Sequence, residues 1–212
     1  MVGEIVNPRK NMMTQFVLGS FLLISCVVFL AVSQQQAGTI QAELRDWQSL
    51  ASKLASDVLS LHKQAQHYKL NAPRDFESYN RDVAVFYKQF QQQLSNIEKT
   101  IELIDRPVNK ISESAYLNLP FFDIIPITLA NAEQKSWYMF WTTFKDNLDE
   151  QIGNPKEPRL EWGAEHIIST SENIIRRLTH LNESVTQAND WFMAAYERFS
   201  WIILSFVLLI IL

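Results

Sequence analysis

Hydrophobic side chains recur at alternating steps of four and three residues along the last quarter of the chain. The pattern holds one phase for about 40 residues, which predicts a single helix of about 60 Å at 1.5 Å per residue. It then runs directly into an uninterrupted apolar stretch from Trp201 to Leu212. The helix is therefore predicted to pass from a folded domain into a membrane. The positions in phase are Leu160, Ala164, Ile167, Ser171, Ile174, Leu178, Leu181, Val185, Ala188, Phe192, Ala195 and Phe199.

A helix near the start of the chain shows the same spacing. Its phase can be followed back without a slip into the apolar segment 12–33, which predicts one continuous rod. That segment has about 22 residues, enough to cross roughly 30 Å of hydrocarbon. The positions in phase are Gly19, Leu23, Cys26, Leu30, Ser33, Ala37, Ile40, Leu44, Trp47, Ala51, Leu54, Val58, Leu61, Ala65 and Tyr68.

Two further helices are predicted between these rods, so that the four outer helices cover about 37–69, 75–105, 131–152 and 159–198. All seven prolines fall outside these ranges, and helix two is predicted to stop before Pro107. Short turns favour an up-down order, so we expect an all-α, antiparallel four-helix bundle whose first and last helices continue into two transmembrane helices. Helix two carries Phe76, Tyr79, Val83, Phe86, Phe90, Leu94, Ile97, Ile101 and Ile104, with a stutter at Phe90, and helix three carries Trp137, Trp141, Phe144, Leu148 and Ile152.

The charges that flank segment 12–33 predict its orientation. Arg9 and Lys10 precede it and only glutamines follow, which places residues 1–11 in the cytoplasm and the domain 34–198 in the periplasm of a bacterial inner membrane. Residues 199–212 would begin the second span, and because about 14 residues reach only about 21 Å, we expect a longer native protein. Alternatives are a cleaved signal peptide near Ala31–Ser33 or a lipoprotein modified at Cys26, although the apolar run is longer than is usual for either.

The connection between helices two and three, residues 108–130, is long for a bundle. One interpretation is that its apolar side chains close the lower end of the bundle. A second is that they rest on the bilayer or on a partner, and a third is disorder. The side chains that would make such a contact are Leu119, Phe121, Phe122, Ile124 and Ile125.

Composition narrows the classes of function. The net charge is -4 and no block of Lys or Arg occurs, which argues against a nucleic-acid partner. Cys26, the single cysteine, lies in the apolar segment, so the outer domain suits an oxidising compartment. No zinc-protease histidine pair and no phosphate-binding glycine loop is found, so no metal, no cofactor and no catalytic site is predicted within residues 1–212. An enzymatic output would lie beyond Leu212.

Candidate ligand-binding residues are polar or aromatic side chains beside the apolar seams. Arg45, Arg81 and Arg177 each carry a guanidinium fork that suits an anion or a carboxylate. Trp47 lies close to Arg45, and Ser171 is the only polar position in the seam of the last helix. The simpler interpretation is that the arginines lie on solvated faces or form surface ion pairs and that Trp47 and Ser171 belong to the core.

This arrangement resembles the N-terminal part of bacterial two-helix membrane receptors, which include chemoreceptors, sensor histidine kinases and cyclic-di-GMP enzymes. The sequence around Arg45 does not match the signature of nitrate sensors. The resemblance implies a homodimer in the lipid bilayer that binds a small anion or a periplasmic binding protein. It also implies a shift between helices one and four that is passed to a cytoplasmic output.

We therefore expect the extracytoplasmic sensing and signal-transduction module of a receptor. The alternative is a membrane-anchored helical scaffold or adaptor that docks a periplasmic partner. A third hypothesis is a membrane-anchored chaperone that holds a client with the apolar run Leu117 to Ile127.

Overall fold

Four helices account for nearly all the described residues: α1 Pro8–Asn71, α2 Phe76–Ser112, α3 Ile125–Ile152 and α4 Leu160–Ile211. This computed structural model describes residues 8–71, 76–114 and 125–211; the side chains of 8–12, 14–15, 76–82 and 211 lie outside the description. The predicted all-α, up-down four-helix bundle is confirmed. Helix α1 packs on α2 and α4, and α3 packs on α4, whereas α2 and α3 approach each other less closely than any of these three pairs.

Contacts between α1 and α4 show that the two helices are antiparallel. Phe29 of α1 contacts Phe199 of α4, and Lys69 of α1 contacts Glu165 of α4, so residue numbers increase along one helix as they decrease along the other. The two apolar ends therefore lie side by side at one end of the bundle. Each of the two helices contains a stretch that is long and apolar enough to cross a membrane.

The predicted phase of α1 persists through its apolar end. Within segment 16–33 the half-buried or buried side chains are the in-phase ones, and the side chains between them are exposed. Thus the same stripe that forms the core of the bundle also joins the apolar segments, as expected for a continuous rod. The positions are Gly19, Leu23, Cys26, Leu30 and Ser33.

Helix α2 does not stop before Pro107, as the sequence predicted, but continues to Ser112. Proline removes one helix hydrogen bond, at a cost of about 3 kcal/mol. Two contacts after the proline stabilise the continuation. Ile111 is buried, at 1 % exposed, and Lys110 Nζ forms an ion pair with Glu43 of α1 at 2.6 Å. Tertiary packing therefore overrides the local break.

Helix α3 begins at Ile125 and not near residue 131, because Pro126 occupies the first turn, where its missing N–H has no partner to lose. Ile127 and Ala130 extend the buried stripe by two positions. Of the predicted contact residues, Ile125 starts α3 and is exposed, whereas Leu119, Phe121, Phe122 and Ile124 lie outside the described residues.

The turn between α3 and α4 aligns these helices closely. Gly153 adopts a left-handed φ of 73°, and its N–H donates to the Asp149 carbonyl oxygen at 2.8 Å, which ends α3. The Arg159 side chain donates to the Glu150 carbonyl oxygen at 2.8 Å. A Cβ added at Gly163 would lie 2.6 Å from Ile152 Cγ1, so glycine is needed for this close approach.

Candidate functional site

The seam between α1 and α4 is apolar inside and polar along its flanks. The Gln48 amide donates to Thr186 Oγ1 at 2.9 Å, and the Ser52 hydroxyl donates to Asn182 Oδ1 at 3.4 Å. The seam interior is closed to solvent between these levels and beyond the second one, because Ala51, Leu54, Val58, Leu178, Leu181 and Val185 are all 0 % exposed.

Ser171, the predicted polar position of this seam, is 2 % exposed and contacts His62 of α1. The Ser171 hydroxyl donates to the Ile168 carbonyl oxygen at 3.2 Å, so its oxygen is left to accept from His62 Nδ1 at 2.5 Å. This assignment puts the imidazole proton on Nδ1. The serine is thus satisfied within the protein, by a histidine that the sequence analysis did not connect with it.

The other predicted ligand residues do not converge on Ser171. Arg45 is exposed on α1, 17 residues from His62 and therefore about 25 Å away along the helix. Trp47 is 0 % exposed and belongs to the core. The Arg81 side chain lies outside the described part of the structure.

Arg177 is half-buried between α4 and α3. Its guanidinium carbon lies 4.4 Å from the ring centroid of Phe140, a cation–π contact. Its Nε is buried without a hydrogen-bond partner in the described part of the chain. The arginine is therefore held by an aromatic face, and the predicted role in anion binding is not tested by this contact.

An aromatic column of α3 fills the bundle centre beside the wide α2–α3 side. Trp137 and Trp141 stack with ring centroids 6.0 Å apart, and Phe144 lies 5.2 Å from Trp141 and 5.2 Å from His166 of α4. The three α3 rings are each 2 % exposed, as expected of core residues. Large rings fill a gap that aliphatic side chains would leave between helices so far apart.

A cavity of about 460 Å³ opens between α2 and α3, a volume typical of small-molecule sites. Its apolar surface comes from both helices and from Leu181 of α4. Residues before and after Pro107 line it, so the proline lies at its level. The lining side chains are Ile101, Ile104, Asp105, Val108, Asn109, Ser112, Asn131, Gln134, Lys135, Trp137, Tyr138, Met139 and Leu181.

Three side chains of this cavity carry buried polar atoms with no hydrogen-bond partner in the described residues: Trp137 Nε1, Asn131 Oδ1 and Gln134 Oε1. The other end of the Gln134 amide donates to Asp105 Oδ1 at 3.3 Å, across the gap from α3 to α2. Sequence reasoning missed this site because its residues are spread over three helices and share no spacing. Pro107 was the available signal, but it was interpreted as the end of a helix.

A second link between α2 and α3 lies farther from the apolar end. Lys145 of α3 forms an ion pair with Glu98 of α2. The hydrogen bond to the Glu98 carboxylate raises the pKa of Lys145 above its usual 10.5, and burial opposes this rise. Polar bridges therefore connect these two helices at two levels. No group of metal-ligating side chains occurs among the described residues.

Comparisons of the chain with models of known protein families, with curated proteins and with solved structures find no match. The function is therefore inferred from the residues and their geometry.

Proposed function

We propose that this chain is the sensing and membrane-signalling part of a bacterial two-helix receptor. Its bundle lies in the periplasm, its N-terminus in the cytoplasm, and a ligand or partner protein bound outside shifts α1 against α4. The shift is passed to a cytoplasmic output. The receptor acts as a homodimer in the inner membrane.

The observation that carries the proposal is the unbroken register of α1 and α4. The two helices remain in contact from the ion pair of Lys69 with Glu165 at one end to the edge-to-face rings of Phe29 and Phe199, with centroids 6.0 Å apart, at the other. The distance from residue 29 to residue 69 is about 60 Å. Two rods packed over such a length move as units, because a close-packed seam has discrete arrangements and resists continuous deformation.

The orientation can be tested with single cysteines in a Cys26→Ser background, which has no other thiol. We expect Lys156→Cys, in the turn between α3 and α4, to react with a membrane-impermeant maleimide in intact cells stripped of the outer membrane. An Arg9→Cys variant should react only after lysis. The reverse labelling pattern would contradict a periplasmic bundle.

Coupling between the two ends can be tested with the native thiol. Cys26 and Ile203 line one apolar groove between α1 and α4, so Ile203→Cys should form a disulfide with Cys26. We expect Lys69→Glu, which replaces the outer ion pair by repulsion, to change the rate of this disulfide formation at least about threefold. Lys63→Glu, an exposed charge on the same helix, is the matched control. Equal rates in all three proteins would contradict transmission along the seam.

A scaffold function is the second candidate, and exposed apolar side chains on α3 favour it. Leu129 is 59 % and Met139 70 % exposed, which suits docking of a partner protein. A scaffold needs no coupling between the bundle and the apolar end, so unchanged disulfide rates together with a stable partner complex would select it.

The homodimer can be tested by measuring the mass of the protein in detergent. A mass near that of one 24.6 kDa protomer, in place of two, would contradict the homodimer.

A further inference from the structure

We infer that the cavity between α2 and α3 binds a small uncharged aromatic molecule that carries an amide or hydroxyl group. This inference deepens the proposed function, since it names the class of ligand that the module would sense. It rests on the shape of the cavity, on its polar atoms and on its position beside Pro107.

The lining sets the body of the ligand. Val108, Tyr138 and Met139 supply the accessible apolar surface, of which Tyr138 is 53 % and Met139 70 % exposed. Ile104, Trp137 and Leu181, each at most 2 % exposed, close the floor. A flat apolar ring fits such walls with favourable stacking. The volume of about 460 Å³ suits a small molecule and is too small for a folded partner.

The polar atoms set the functional group. The unpaired Asn131 and Gln134 oxygens accept hydrogen bonds, and the unpaired Trp137 Nε1 donates one. A buried polar atom without a partner is costly, so a ligand that supplies both a donor and an acceptor recovers part of that cost. These atoms are closed to solvent, so a side chain must turn for a ligand to reach them. The Asn131 amide can turn about its last bond, whereas the Gln134 amide is held by its hydrogen bond to Asp105 Oδ1.

The charges argue against an ionic ligand. The cavity has one acidic and one basic side chain, Asp105 and Lys135, both exposed at its edge. Their opposite signs leave no net charge to offset the desolvation of an anion or a cation. An uncharged molecule is therefore preferred.

The position of the cavity connects binding to the membrane end. Ile104 and Asp105 precede Pro107, whereas Val108, Asn109 and Ser112 follow it. Proline removes one helix hydrogen bond, which makes this the point at which α2 bends most easily. The part after the proline is tied to α1 through Lys110 and Glu43. A ligand that wedges the cavity would therefore displace this part against α1.

Benzamide is the probe, and the six tryptophans, labelled as 5-fluorotryptophan, give the readout by ¹⁹F NMR in nanodiscs. The Trp137 resonance is assigned by its loss in Trp137→Phe. We expect benzamide to shift this resonance saturably, with a dissociation constant near or below about 1 mM, and to leave the exposed Trp162 and Trp201 unmoved. Benzoate should bind at least about tenfold more weakly, because its charge must be desolvated.

Matched variants locate the site. Asn109→Phe fills the mouth of the cavity and should abolish the benzamide shift, whereas Arg106→Phe, one residue before the proline and outside the lining, should retain it. Asn131→Leu should weaken binding about tenfold by removing a polar partner. Circular dichroism establishes that each variant is folded.

A Trp137 resonance that does not respond to benzamide in the folded native protein would overturn the inference. So would equal responses in Asn109→Phe and Arg106→Phe. If only the proposed function is wrong, the result is different. Benzamide would then bind, but in the Ile203→Cys variant the disulfide with Cys26 would form at the same rate with and without it. Binding that also changes this rate supports both.

Discussion

The α1–α4 pair and the α2–α3 pair are built on different principles within one bundle. Along α1 and α4 small and large apolar side chains interlock, polar side chains pair at the flanks, and Ser171 within the seam contacts His62. Between α2 and α3 the helices stand apart, aromatic rings fill part of the space, and a cavity remains. The first pair suits transmission of movement over a long distance, and the second suits binding.

The difference shows how one chain can combine stiffness with adaptability. Close packing gives the α1–α4 seam few alternative arrangements. The α2–α3 side has an interior proline and a cavity whose lining residues carry unpaired polar atoms. Unpaired buried atoms also occur along α1 and α4, for example Trp47 Nε1 and Asn189 Oδ1, so the cavity and the proline distinguish the two sides. We expect substitutions on the two sides to have effects of different size and, in one case, of opposite sign.

The largest effect should come from truncation in the α1–α4 seam. Leu178→Ala removes a fully buried side chain and should lower the free energy of unfolding by about 3 to 5 kcal/mol. Ile104→Ala, which borders a cavity that is already present, should cost about 2 kcal/mol. Thermal unfolding in nanodiscs, followed by circular dichroism, measures both, with the exposed Leu59→Ala as control. A larger loss for Ile104→Ala would contradict the comparison.

The second effect should differ in sign between the two sides. Ser171→Leu inserts extra volume into a packed seam and leaves His62 Nδ1 without its partner, so it should destabilise by about 1 to 3 kcal/mol. In Asn131→Leu the leucine has nearly the same shape as the asparagine that it replaces, and it lies beside the cavity. Because the change removes an unpaired buried oxygen, it should stabilise the fold by about 1 kcal/mol. Two changes of the same sign in the melting temperature would show that the sides are packed alike.

A smaller effect is expected at Pro107. Pro107→Ala restores a helix hydrogen bond, but it gives the unfolded chain more freedom and removes most of a buried ring, so the net gain in stability should be about 1 kcal/mol. Because a straighter α2 would alter the cavity, benzamide binding should weaken at the same time. Hydrogen exchange at the amide of residue 107, absent in the native protein, would report the new bond. Unchanged stability with unchanged benzamide binding would show that the proline does not shape the site.

The sequence predicted the buried stripes well because the spacing of apolar residues within one helix is enough to identify its buried face. In-phase residues of α1 from Leu44 to Tyr68 are buried, and in α4 the same is true from Leu160 to Phe192. What it missed depends on distances between helices. The His62–Ser171 contact joins residues 109 positions apart, and the cavity lies between α2 and α3, which make few close approaches. The spacing of residues within one helix predicts neither this contact nor this cavity.

The prolines show the limit of local rules most clearly. Pro107 lies inside α2 and Pro126 in the first turn of α3, although both were predicted to lie outside helices. At Pro126 the position in the turn removes the penalty. At Pro107 burial of Ile111 and the Lys110–Glu43 ion pair offset it, and these stabilising contacts involve the folded bundle, which the sequence around residue 107 does not reveal.

The smallest effect tests the polar bridge between α2 and α3. Because the folded-state pKa of Lys145 is raised by Glu98, the ion pair contributes fully below the ordinary lysine pKa of 10.5 and is lost as the pH rises through the higher folded value. Both side chains are more than a third exposed, so Lys145→Met should cost less than about 1 kcal/mol at neutral pH. The difference in melting temperature from the native protein should shrink as the pH rises above about 10.5, through the raised folded-state pKa, and should also shrink in high salt. Lys63→Met, an exposed lysine of α1, controls for general effects of charge. If Lys145→Met costs several kcal/mol, the α2–α3 side is held together as firmly as the α1–α4 seam, and the contrast between the two sides does not hold.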